Sequence, residues 1–164
     1  MPKMIEHTIK VLQYAKNIAS SENIDSAFTK NVITIGSILH DIGTPSAIKK
    51  YGSAEPEYQQ REGYEIAKNI LSNEGIRDDI KERILYIILH HHEPEKIDGI
   101  DFRIIYEADT IVNVLEENIK LEKSKNNYDQ FIIANFRTSR GKKNYTKNII
   151  QLNISFFQKA YIFS

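Results

Sequence analysis

The sequence predicts an all-α protein with a single domain. Apolar residues recur three and four positions apart along most of the chain, which is the period of one buried helix face. No stretch of comparable length alternates apolar and polar residues as a half-buried strand would. With 164 residues, 41% of them apolar, the chain is long enough for one sizeable core and hardly long enough for two.

The first two predicted helices carry two of the histidine positions. The first spans about residues 2–20, and its three- and four-residue spacing places His7 on the buried face. The second begins near Asp25 or Ser26, either of which is a suitable N-cap, and Gly43 and Pro45 stop it. His40 falls in its last turn.

Three further helices follow a stretch without helical periodicity. Residues 43–56 are predicted to be a loop, and because loops beside a buried site often grip substrates, this one is a candidate lid. Helices are predicted over residues 57–73, from about residue 77 into the histidine run, and around Asp109, which shares a stripe with Ile105. The apolar stretch after residue 148 fits a last helix or an edge strand.

The five histidines occupy only three places: His7, His40 beside Asp41, and the run His90-His91-His92. Most of them, together with Asp109, fall on core-facing stripes of four different predicted helices. Neutral imidazoles and carboxylates together are ligands for a divalent cation that keeps open positions for water. Each position alone could instead be a satisfied core histidine or a helix C-cap. Convergence of the set favours a metal site, because buried polar groups need partners.

Composition indicates which residue types could hold the metal and in which compartment the protein is expected. The absence of Cys excludes a disulfide framework and thiolate sites such as a zinc finger, so any metal must be held by His, Asp and Glu. The sequence has no apolar run of bilayer length, and its start lacks the features of a secretory signal. We therefore expect a cytoplasmic protein without a membrane partner. A homodimer remains open.

Charge is distributed unevenly along the chain. All 22 acidic residues precede residue 130, so the first 138 residues, which contain 17 basic residues, are net acidic. A net-acidic domain argues against duplex nucleic acid as a partner, since phosphate affinity is built from clustered Lys and Arg. We predict a domain over residues 1–138 and a basic C-terminal tail over residues 139–164, either a last helix or a poorly ordered extension. The basic residues of this tail are Arg140, Lys142, Lys143, Lys147 and Lys159.

The motifs ILHDIG, HHHEPEKIDGIDF and EADTIV, preceded by a histidine on the first helix, resemble the HD-domain superfamily of metal-dependent phosphohydrolases, in particular small bacterial HD-domain hydrolases. The resemblance implies a single-domain HD-type helical bundle in which His7, His40, Asp41 and Asp109 hold one metal ion. It leaves the substrate open.

Two-metal members of the superfamily use a further histidine that this chain lacks, and Glu62 stands in roughly its region. We therefore predict a second ion held by Asp41, Glu62, His91 and His92. Glu57 and Glu65 are rivals for the place of Glu62, which could also be an exposed helix carboxylate. His90 is expected to face elsewhere.

The resemblance implies hydrolysis of a small phosphate ester or nucleotide, by a phosphomonoesterase or phosphodiesterase, through attack of metal-bound hydroxide. Asp41 is the predicted catalytic residue, and Lys50 and Arg61 are predicted to bind the substrate. The cofactor would be one or two divalent ions of Fe, Mn, Zn, Ni or Mg. Two alternatives are an HD-type diiron oxygenase and a non-catalytic metal- or nucleotide-binding module.

Overall fold

The computed structural model describes residues 2–116 and 125–148. Within these ranges the chain has no strand, and the predicted all-α class is confirmed. No helix there is long and apolar enough to cross a bilayer. Residues 139–148 are also helical. The helices with defined bounds are α1 (Pro2–Ser21), α2 (Ala27–Leu39), α3 (Thr44–Tyr51), α4 (Pro56–Asn73), α5 (Asp78–His90), α6 (Ile100–Glu116) and α7 (Lys125–Asn135).

Helices α1 and α2 form where their periodicity and caps predict. Val11, Ala15 and Ile18 of α1 are fully buried on one face. The Ser26 hydroxyl accepts a hydrogen bond from the Thr29 backbone N–H at 3.3 Å and so satisfies one of the free donors at the start of α2. The buried face therefore fixes the orientation of α1, and the Ser26 cap marks the start of α2.

Helix α3 contradicts the prediction of a long loop over residues 43–56. Pro45 lies in the first turn of α3, where its missing N–H costs no hydrogen bond, so it starts this helix rather than only ending the previous one. Gly52 ends α3 in the left-handed conformation, with φ of 67°, and its N–H donates to the carbonyl of Ile48. The intervening Ala47 is fully buried. Only residues 52–55 separate α3 from α4.

A close backbone approach joins the turn after α2 to helix α4. Gly43 lies against the backbone of Gln59 and Gly63, so a methyl group at residue 43 would overlap both. Because Gly63 also lacks a side chain, α4 can lie against this turn, which immediately follows His40 and Asp41. The glycine pair thus positions α4 beside the candidate site.

Two apolar clusters form the core, and helices α2 and α6 belong to both. The first cluster packs α1 against them around Val11, Ile33 and Ile111. The second packs α4 and α5 against them, with Ile84 of α5 and Phe102 of α6 among its fully buried members. Helices α2 and α6 therefore form the central layer between α1 on one side and the α4–α5 pair on the other.

The segment after α7 is fastened to α6 through the buried carboxylate of Glu107. This carboxylate accepts hydrogen bonds from the backbone N–H groups of Arg137 and Thr138 at 2.5 and 3.1 Å, and from the Thr138 hydroxyl at 2.5 Å. Residues 139–148 then form a helix whose Tyr145 is buried in the first cluster. The domain boundary placed at residue 138 stays a prediction, and residues 149–164 lie outside the described residues.

We predict that Gly43→Ala destabilises the fold by about 3 kcal/mol, the upper end for an overpacked core, because the added methyl group overlaps backbone and α4 must move away. Urea denaturation of both proteins measures the difference. The matched control is Gly52→Ala, which has open space around the new methyl group and loses only the left-handed preference of glycine, about 1 kcal/mol. Equal losses in the two variants would contradict the role of the glycine pair.

Candidate metal centre

Six polar side chains converge where the two apolar clusters meet. The central helices supply His40, at the end of α2, Asp41 in the following turn, and Asp109 within α6. Helix α1 supplies His7 from one side, and the carboxyl end of α5 supplies His91 and His92 from the other. The fold thus brings together all the predicted ligands except Glu62.

Four of these side chains point donor atoms at one small volume. The His7 Nε2 atom lies 3.1 Å from Asp109 Oδ1 and 3.6 Å from Asp41 Oδ2. The His40 Nε2 atom lies 3.4 Å from Asp41 Oδ2 and 3.5 Å from Asp109 Oδ1. His7, His40 and Asp41 have ligand atoms close enough together to hold an ion, and Asp109 Oδ1 lies against both histidines. Imidazole nitrogens and carboxylate oxygens are ligands that suit a divalent cation.

Hydrogen bonds to backbone carbonyls orient two of the histidines as ligands. His40 Nδ1–H donates to the Ser37 carbonyl at 2.9 Å, and His91 Nδ1–H donates to the Ile88 carbonyl at 2.8 Å. Each ring therefore turns its Nε2 atom inward, which is the second-shell arrangement of metal-ligating histidine. Both Nε2 atoms are buried and make no hydrogen bond within the described residues. Because such orphaned atoms are costly, these rings fit a bound cation.

The two carboxylates of the site are ionised. Burial would raise the pKa of Asp109, but the neighbouring His40 and His7 outweigh the effect of burial and lower it. Burial likewise acts against ionisation of Asp41, yet His40 and His91 lower its pKa to about 2. The Asn113 amide donates to Asp109 Oδ2 at 3.0 Å, which leaves Oδ1 facing the histidines. The site therefore presents two fixed negative charges.

His40 responds to these charges. Its complete burial opposes protonation, but the neighbouring carboxylates of Asp41 and Asp109 outweigh that effect and raise its pKa to about 9. Either a proton on His40 or a bound divalent cation can compensate the negative charges of Asp41 and Asp109. Because only the neutral imidazole can ligate, metal binding must release this proton.

A second group of donors shares Asp41 with the first. The His91 Nε2 atom lies 3.4 Å from Asp41 Oδ1, while Asp41 Oδ2 faces His7 and His40. Asp41, His91 and His92 have ligand atoms close enough to hold an ion. Burial and the adjacent His91 lower the pKa of His92 to about 4, so its ring is neutral. The orientation of Asp41 suits a carboxylate that bridges two ions.

Glu62, the predicted ligand of the second ion, lies outside both groups of donors found among the described residues. It is buried, and its carboxylate accepts hydrogen bonds from Ser46 at 2.7 Å, Lys50 at 2.5 Å and Tyr51 at 2.9 Å, all on α3. These contacts, that of Lys50 foremost, lower its pKa to about 2. In this structure Glu62 therefore fastens α3 to α4, and the α4 side chain of Gln59 contacts His92.

Lys50, Arg61 and His90 lie away from the donor groups. Lys50 is exposed on α3 and paired with Glu62. The exposed Arg61 guanidinium lies over the Tyr51 ring, 4.9 Å from its centroid, about 200° around α4 from Gln59. The Nδ1 atom of His90 is 3.1 Å from a Glu93 carboxylate oxygen.

Three residues that touch the ligands were not identified from the sequence. Asn113 follows Asp109 by four positions, so helical spacing could have identified it. Glu116 lies 2.9 Å from His7 Nδ1, and the Gln59 amide oxygen lies 3.4 Å from His92 Nε2. The last two contacts join separate helices, and no local pattern marks them.

We predict that metal affinity rises with pH between pH 6 and 8.5, by up to about tenfold per pH unit, because His40 must lose its proton to bind. The rise should level off near pH 9, above which His40 is already neutral. Calorimetry with Mn²⁺ in buffers of different ionisation enthalpy measures both affinity and released protons. A His90→Gln variant, altered outside the site, should behave like the wild type. An affinity that does not change over this range would contradict the prediction.

Comparison with known proteins agrees with this geometry. The family model of the HD domain matches residues 4–125. The chain matches none of the curated proteins compared with it. A crystal structure described as a predicted HD superfamily hydrolase from an uncultured Thermotogales bacterium has a TM-score of 0.67 and 21% identity, covering 96% of this chain and 79% of that one, and therefore shares its fold. With the family model matching most of the chain, this protein belongs to the HD-domain family.

Proposed function

We propose that this protein is a metal-dependent phosphohydrolase that acts on a small phosphate ester or a nucleotide. The observation that carries the proposal is the pair of buried Nε2 atoms of His40 and His91, which make no hydrogen bond within the described residues and face the ionised carboxylate of Asp41 from two sides. The HD-domain family membership supports the same function, since the neighbouring structure is described as a hydrolase.

The ligand set suits one or two ions of Fe, Mn, Zn, Ni or Mg. A bound divalent ion supplies Lewis acidity toward a phosphoryl oxygen and lowers the pKa of water. Phosphoryl transfer depends mainly on positioning and on neutralising charge, so it requires no protein nucleophile. The four ligands His7, His40, Asp41 and Asp109 would hold the first ion, and Asp41 would also face a second ion beside His91 and His92.

Asp41 is the proposed catalytic residue because it lies at the open side of the site. Its side chain keeps 22% of its exposure, whereas that of His40 keeps none. Beside it, the Thr44 hydroxyl donates to the Gln59 amide oxygen at 3.1 Å, and this oxygen lies next to His92. A polar rim of α3 and α4 residues therefore borders the approach to Asp41. A substrate would enter on this side.

A nucleotide substrate carries phosphate charge beyond the group that the ions would neutralise. We propose that Lys50 and Arg61 meet that charge from α3 and α4. Lys50 can turn from Glu62 toward solvent because its side chain is 57% exposed. Arg61 makes no hydrogen bond or ion pair within the described residues, so the guanidinium donors remain available. Both residues would bind the part of the substrate furthest from the ions.

We predict that metal-stripped protein reconstituted with Mn²⁺, Fe²⁺, Zn²⁺, Ni²⁺ or Mg²⁺ in turn releases phosphate from at least one member of a panel of phosphomonoesters, phosphodiesters and nucleotides. Asp41→Asn should lower kcat/KM by more than the roughly 100-fold that outer-shell changes cost, because it removes a ligand itself. Phosphate release, or nucleotide release from diesters, is the measurement.

The matched control is Glu65→Gln, which removes an exposed carboxylate on α4 and should leave kcat/KM unchanged. Substrate-dependent oxygen uptake by the iron-loaded protein, without phosphate release, would contradict hydrolysis and identify an oxygenase. Equal activity in the wild type and the Asp41→Asn variant would mean that a contaminant releases the phosphate and that the protein is a binding module.

We predict that Lys50→Met raises KM for the substrate by about 5–10-fold with little change in kcat, because an exposed charged contact contributes equally to ground-state and transition-state binding. Arg61→Met should act similarly. Lys49→Met, which changes the exposed neighbouring lysine, is the control. If Lys50→Met and Lys49→Met show the same steady-state kinetics, Lys50 does not bind the substrate.

A further inference from the structure

We propose that Glu116 is a positioning residue of the metal centre, which fixes the ring of His7 so that its Nε2 atom faces the ion. The inference rests on the metal binding proposed above, but not on the reaction that follows. It concerns a residue at the end of α6 whose carboxylate lies at the rim of the site, 31% exposed.

The geometry of His7 requires an acceptor on its outer side. Its Nε2 atom faces Asp109 Oδ1 at 3.1 Å, and its Nδ1 atom lies 2.9 Å from Glu116 Oε2. A neutral imidazole carries one proton, on one nitrogen or the other. When Nδ1–H donates to Glu116, the lone pair is left on Nε2. This atom faces the same small volume as the Nε2 atom of His40.

The rings of His40 and His91 are oriented in the same way, but by backbone carbonyls instead of a side chain. His40 and His91 follow the last residues of α2 and α5, where the carbonyls of Ser37 and Ile88 can accept from Nδ1–H. Carbonyls at helix ends lack the usual intrahelical partner. His7 lies within α1, where the preceding carbonyls are already bonded to N–H groups of the helix. Its acceptor therefore has to come from another helix, and Glu116 provides it.

Lys10 holds Glu116 in this orientation. Its ammonium donates to Glu116 Oε1 at 2.8 Å, which leaves Oε2 directed at His7. Lys10 follows His7 by three positions on α1, so the two side chains lie on neighbouring parts of one face. The carboxylate thus bridges two residues of α1 and joins the N-terminal half of α1 to the end of α6 at the metal centre.

The test compares Zn²⁺ affinity and the His7 proton in Glu116→Met and Glu116→Gln. The methionine keeps the length of the side chain but offers no good acceptor, whereas the glutamine keeps an oxygen acceptor. We expect Glu116→Met to weaken Zn²⁺ binding, measured by calorimetry, by about 10–100-fold. Glu116→Gln should stay within about threefold of the wild type. In ¹⁵N spectra of the zinc-loaded protein, the His7 Nδ1–H signal should exchange slowly except in Glu116→Met.

The control Glu65→Met removes an exposed carboxylate with no partner among the described residues, and should match the wild type in both measurements. Circular dichroism checks folding, and Glu116→Ala replaces Glu116→Met if that variant does not fold. Wild-type affinity and an unchanged Nδ1–H signal in Glu116→Met would overturn the role of Glu116. A wild-type protein that binds no Zn²⁺ would instead contradict metal binding itself.

Discussion

Two ionised carboxylates held within one largely buried volume are the constraint on which the site depends. Asp41 and Asp109 repel each other at low effective dielectric, so positive charge must lie between them. The neighbouring imidazoles supply it as protons or give way to a metal ion. Backbone carbonyls, Asn113 and Glu116 each fix the direction of one of these side chains. The surrounding helices hold these carboxylates and imidazoles at the separations that this compensation of charge requires.

The position of the site within the core explains why a small domain can hold it rigidly. Helices α2 and α6 pack on both sides, so the residues that they carry into the site cannot shift without disturbing two apolar clusters. His7 and His91 approach from opposite layers. A ligand from each layer therefore links the packing of α1 to that of α5, and an ion bound there would join the two halves of the core.

Periodicity could predict much of the fold and the inner ligands, because both depend on which helix face is buried. His7 and His91 were predicted to face inward for that reason, and both are buried. Helix α3 was missed, since Pro45 and a following glycine are equally compatible with a loop and with a short helix that begins and ends there. The surroundings of Glu62 could not be predicted, because they depend on how α3 packs on α4, and no local signal reports contacts between helices.

The helix ends that carry His40 and His91 have an electrostatic consequence of their own. Each helix has a macrodipole whose negative end is its carboxyl terminus, and both α2 and α5 end at the site. Their fields add to the charges of Asp41 and Asp109, so the pocket attracts positive charge and holds it as a proton on His40 while no metal is bound. A divalent cation that replaces this proton brings more positive charge than it displaces, so the pocket attracts an anionic substrate more strongly after the cation has entered.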